Sequence, residues 1–213
     1  MAFNDYKCID DVVKKHKLRM DQGTAIIPAA DAPPFSEYFR SELEFSLRRL
    51  PIGRSEFGAG EIVLFPLLRE VWKTYADNLS LFSHEPLEHD NDLTGTPDYF
   101  VCKPSEYGPT IPEVPYLLVV EAKLDDFERA WGQCLAAMLA AQKLNATPDH
   151  PVYGIATNSK TWEFGVLLGQ EFICDPNPIS LHNLDSLRQA LHGVFRTCRD
   201  MALTSLATPT ANS

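Results

Sequence analysis

Pro115-Tyr-Leu-Leu-Val-Val-Glu-Ala-Lys123 is the stretch on which the reading of this sequence turns. Residues Tyr116 to Val120 are apolar without alternation, as expected of a central strand covered on both faces. The run then ends in two charges. Side chains alternate along a strand, so Glu121 and Lys123 project from one face and Ala122 from the other. A carboxylate and an ammonium at the end of a buried strand are costly unless paired or metal-bound. The pair therefore reads either as a site or as a strand emerging into water.

Upstream, Leu93-Thr-Gly-Thr-Pro-Asp98-Tyr-Phe100 places Gly95 for a tight approach and Pro97 at a strand entrance, where a sheet tolerates proline. Asp98 then opens a strand running to Lys103, and Leu79 to His84 forms another before it. The four prolines and Gly108 between 104 and 115 read as a hairpin connection. Only one register of that hairpin sets Asp98 beside Glu121; otherwise Asp98 after Pro97 is a turn device.

Further upstream, a helix from about Ser55 to Asn78 aligns Glu61, Phe65, Leu68, Val71, Trp72 and Tyr75 on one face, so Glu61 is expected to point with the core, with a kink or restart at Pro66. Ser36 caps an earlier helix that stops at Pro51. Downstream, Asp125 or Asp126 caps a helix to about Leu144, in which Gln133 shares a close-packing face with Ala130, Ala137 and Ala141. Strands at 152–157, 161–168 and 171–174 follow, then an amphipathic helix from Leu181 to Leu206. The expected fold class is α/β, a central mixed sheet flanked by helices. Residues 1–34, with a short helix at 5–20 and a proline-rich connector, are read as an N-terminal extension, 35–206 as the domain and 207–213 as a disordered tail.

Gly95-Thr-Pro-Asp98-Tyr, then Val120-Glu121-Ala-Lys123, then Gln133 in the next helix, with Glu61 in the helix before, resembles the PD-(D/E)xK nuclease superfamily. The stretch from Tyr153 to Phe164 is similar to the strand pair after the catalytic helix in the N-terminal nuclease modules of type I restriction enzymes. The resemblance spans roughly residues 55–168 and implies a restriction-endonuclease-like αβββαβ core that hydrolyses phosphodiester bonds, most expectedly in DNA. By the same resemblance Asp98, Glu121 and the carbonyl of Ala122 hold Mg²⁺, with Mn²⁺ as a substitute, and Glu61 reaches the ion directly or through water. Lys123 orients or deprotonates the attacking water or stabilises the transition state as a cation, and Gln133 contacts the site or the scissile strand. Oxygen donors suit a hard cation, which lowers the pKa of bound water and offsets charge on the phosphate.

Composition limits the partners. In 213 residues the formal net charge is −10, which excludes bulk electrostatic wrapping of nucleic acid and makes a homodimer or a separate DNA-binding protein an attractive complement. No apolar run is long enough to span a bilayer and no signal-peptide core is visible, so a soluble, cytoplasmic protein is expected. Five cysteines without a C-x-x-C pair argue against both a disulfide framework and a zinc knuckle. His84 and His89, in a polar loop, read as solvent-facing, and no Gly-rich phosphate loop is present. A non-catalytic interaction module that keeps the fold is the alternative reading.

Overall fold

The apolar run ahead of Glu121 lies in the middle of a sheet. The computed structural model describes residues 2–28, 30–147 and 149–206, and the tail assigned to 207–213 lies outside them. The helices are α1 (Ile9–His16), α2 (Glu37–Arg49), α3 (Glu56–Ala59), α4 (Phe65–Trp72), α5 (Phe127–Asn145) and α6 (Leu184–Leu206). The strands are β1 (Arg19–Asp21), β2 (Ser80–Ser83), β3 (Leu87–Glu88), β4 (Thr94–Gly95), β5 (Tyr99–Pro104), β6 (Pro112–Ala122), β7 (Val152–Thr157), β8 (Thr161–Leu168), β9 (Glu171–Cys174) and β10 (Ile179–Ser180).

The main sheet has the order β1-β9-β8-β7-β6-β5-β2, with β10 beside β8 and a separate β3-β4 ribbon. Strands β2, β5 and β6 pair antiparallel, and β7 joins β6 in parallel after the α5 crossover. Helix α4, these three strands, α5 and β7 give the αβββαβ order, and the fold is the mixed α/β class expected. Strand β6 is covered on both faces. Leu118, Val120 and Ala122 pack towards α4 and α6, whereas Val119 packs towards α5. That two-sided burial is why the strand carries no charged residue between Glu113 and Glu121.

Helix boundaries follow local chemistry. Ser36 Oγ accepts the Phe39 N–H at 3.2 Å to start α2, and Asp126, one of the two expected caps, accepts the Arg129 N–H at 2.9 Å to start α5. The helix expected from Ser55 to Asn78, with a kink or restart at Pro66, is divided and ends at Trp72. Ser55 caps α3, a single π-helical turn occupies Gly60–Leu64, and α4 resumes with Pro66 in its first turn, where a missing N–H is least costly. The restart falls beside the proline, and the irregularity lies in the turn just before it.

Residues 2–21, read as an extension, pack into the domain. Phe3, Tyr6, Val12 and Leu18 are buried against α5, and β1 adds in parallel to β9. Helix α1 is shorter than expected because Lys17 adopts the left-handed conformation (φ 56°) and ends it. Close approach at Gly132 seats this segment: a Cβ there would lie 2.8–3.0 Å from the backbone of Cys8. Gly132→Val is therefore expected to cost about 1–3 kcal/mol by overpacking and to loosen residues 2–21. Thermal unfolding and limited proteolysis check this, and an unchanged melting temperature with unchanged cleavage sites would contradict it.

Among the described residues no helix is long and apolar enough to cross a membrane. The five cysteines are free, with Cys102, Cys134 and Cys198 buried.

Candidate active site

The hairpin register decides whether the acidic residues meet. Tyr99 faces Val120, Phe100 faces Val119 and Val101 faces Leu118, so the next step of the same antiparallel register sets Asp98 opposite Glu121. Directly opposed residues share a face of the sheet. Asp98 lies one residue before β5 rather than inside it, and the Ala122 N–H donates to Asp98 Oδ2 at 2.7 Å. The Asp98 carbonyl in turn accepts the His84 N–H at 2.9 Å, tying the ends of β2, β5 and β6 together.

These residues line one cleft of about 300 Å³ with Glu56, Glu61, Lys123 and Gln133. Lys123 follows the end of β6 but keeps its place beside β7, because its N–H donates to the Thr157 carbonyl at 3.0 Å. Its ammonium is largely enclosed and donates to the Ala122 carbonyl (3.1 Å) and to Glu56 Oε2 (3.3 Å). Gln133 reaches the cleft from α5, is buried, and its Nε2 has no hydrogen-bond partner among the described residues. An amide donor left unmade in a buried wall is expensive unless something in the cleft accepts from it.

Two carboxylates sit here in low dielectric. Glu121 is only 4% exposed, and burial, then the neighbouring Asp98 charge, push its pKa well above the usual carboxylate range against the pull of Lys123. Burial also raises the Asp98 pKa, opposed by the Ala122 N–H, Lys123 and His84. Tyr99, beneath the cleft, is raised to about 12 by burial and by the Asp98 and Glu61 charges.

One expectation is corrected. Glu61 does not point with the core: it is exposed, and it reaches the cleft from the π-helical turn, whose altered phase takes it off the face formed by Leu67, Leu68 and Val71. His84 is exposed, as expected, and it also borders the cleft. Its backbone is left-handed (φ 54°), and its Nε2 stands 3.5 Å from Asp98 Oδ1 with Nδ1 2.8 Å from Ser83 Oγ. Glu56 was not foreseen either. The signal was present, since Ser55 caps the helix and Glu56 follows in its first turn, but that pattern also describes any helix start.

Asp98, Glu121, Glu61 and Glu56 thus border one cleft. Among the described residues, no group of three or more His, Cys, Asp or Glu side chains is drawn together as a closed metal site.

No family model matches the chain, and no curated protein matches it. Among solved structures the chain is similar to the type IIG restriction endonuclease BpuSI, at 16% identity and a TM-score of 0.43, over 72% of this chain and 18% of that one. The chain spans less than a fifth of that protein's length.

Proposed function

We propose that the cleft is the active site of a divalent-metal-dependent nuclease that hydrolyses phosphodiester bonds, with DNA as the first substrate to test. The observation that carries this reading is the register setting Asp98 opposite Glu121, with Lys123 and Gln133 at the same cleft. The donor set fits a hard cation. Two desolvated carboxylates, with the Asp98 charge raising the Glu121 pKa, form a site whose repulsion a divalent ion relieves, and the Ala122 carbonyl adds a neutral oxygen beside them. Asp98, Glu121 and Ala122 would hold Mg²⁺ or Mn²⁺, with Glu61 reaching it directly or through water. When bound, the ion supplies an acidified water and charge compensation at the phosphate.

The remaining work falls to side chains already in place. Lys123 presents an ammonium to the phosphate or to the attacking water, and Glu56 limits where that ammonium goes by holding it at 3.3 Å. Gln133 offers its unpaired Nε2–H to a phosphate oxygen, an acceptor that would satisfy it. Asp98 stays fixed through the Ala122 N–H, so the ligand oxygens are preorganised.

A net charge of −10 favours a second reading, a binding module that keeps the fold and recruits another protein. Purified protein offered single- and double-stranded DNA and RNA with Mg²⁺ or Mn²⁺ separates the two, with the Lys123→Ala protein as control. Metal-dependent cleavage that the control lacks supports the nuclease; no cleavage of any substrate ends it.

A further inference from the structure

We infer that the cleft takes an unpaired nucleotide whose base stacks on Phe57, an inference that rests on the nucleic-acid reading of the site. Phe57 lines the cleft mouth yet is 75% exposed, so its ring serves no core. It opens a row of rings along one wall. The Phe57 and His84 centroids are 6.3 Å apart at 27°, His84 meets Tyr99 edge-on at 5.7 Å, and Tyr99 stacks on Phe65 at 6.1 Å and 17°. The Arg69 guanidinium lies over the outer face of the row, 5.8 Å from the Phe65 ring centre. Both end rings, Phe57 and Phe65, are open to solvent.

Charge and shape then choose the ligand. Four carboxylates border the cleft and the chain carries a net charge of −10, so release of counterions from a phosphate backbone contributes little to binding. Base stacking on an aromatic ring is indifferent to that charge and to sequence, because every base has a π face. In a duplex those faces are covered by neighbouring bases; in an unpaired strand or a frayed end they are free. Arg69, at the far end of the row, is placed to meet the backbone of the same strand. The row therefore grips nucleic acid where the acidic cleft alone would repel it.

The test measures anisotropy of labelled short oligothymidylate and oligouridylate strands, and of a duplex of equal length, on the Lys123→Ala protein in Mg²⁺, where cleavage is blocked. Unpaired strands are expected to bind more tightly than the duplex. Adding Phe57→Ala should weaken that binding about tenfold, and Phe57→Trp should restore it. A preference for oligothymidylate or oligouridylate supports the inference either way. Unchanged affinity in Phe57→Ala, or equal affinity for the duplex, overturns it. If the parent protein cleaves in a Lys123-dependent manner while Phe57→Ala binds normally, stacking fails and the nuclease stands. If no oligonucleotide is bound or cleaved, both fail, and Phe57 marks a protein-docking surface instead.

Discussion

The Asp98→Asn protein is expected to fold with its strand register intact and to cleave roughly 10²–10³-fold more slowly than the parent, the usual loss when one preorganised charge is removed from a site. The substitution separates two roles of the residue. Asp98 Oδ2 accepts the Ala122 N–H at 2.7 Å, and an asparagine oxygen can accept the same bond. The charge, in contrast, disappears. In the metal-free protein that loss is neutral or favourable, because Asp98 is desolvated and its charge raises the pKa of buried Glu121. Asp98→Ala is harsher, since it also strands the Ala122 N–H, about 1–3 kcal/mol for a buried donor. Single-turnover cleavage together with metal-free thermal unfolding distinguishes the two variants. Parent-like cleavage by Asp98→Asn would remove Asp98 from the machinery.

A divalent cation at a hundred times its dissociation constant should stabilise the protein by about 2.7 kcal/mol at neutral pH, roughly 5–10 °C in Tm for a chain of this size. The increment should shrink as the pH falls. Asp98 and Glu121 have folded-state pKa values above their unfolded ones, so the folded chain binds more protons than the unfolded chain across the interval between them. Their contribution to metal-free stability is unfavourable at neutral pH and is relieved as the pH drops through the raised values. Metal competes with those protons and loses its advantage in the same window. Exposed carboxylates act with the opposite sign: Asp92, lowered to about 2 by its hydrogen bond to Lys15, loses a stabilising interaction in acid. The difference between curves with and without metal isolates the site. An increment that is flat with pH, or that survives Asp98→Asn, would place the ion elsewhere.

Some of this was legible in the sequence because it depends only on local repeat. Glu121 and Lys123 share a strand face by alternation, and α5 follows from its cap and its small-residue face. The meeting of Asp98 with Glu121 is different in kind, because register is a property of two strands. Leu117 shows why spacing alone fails: Val101 faces Leu118 but Cys102 faces Tyr116, so an extra residue bulges from β6 beyond the site. Counting back from the connection would have misplaced the pair. The short strands β1, β3, β4 and β10 carry too few residues to show any alternation, and β1 exists only because β9 offers an edge. Glu56 and Lys123 lie 67 positions apart and meet through packing, which no local pattern encodes.

The π-helical turn at Gly60–Leu64 has a consequence for how the protein could change. An ordinary helix advances about 100° per residue, so carboxylates five positions apart would diverge by roughly 140° around its axis. Here Glu56 and Glu61 border the same cleft, while Leu67, Leu68 and Val71 beyond the turn all reach the core. The wider ring works as a phase shifter between a half that serves the cleft and a half that serves the core. Closing it to an α-turn with every residue kept would rotate every later side chain of α4 by about 100° relative to Glu56, whereas deleting one residue there would leave them in phase. In the first case the two halves would compete for one angular setting, so this turn tolerates the loss of a residue better than it tolerates straightening.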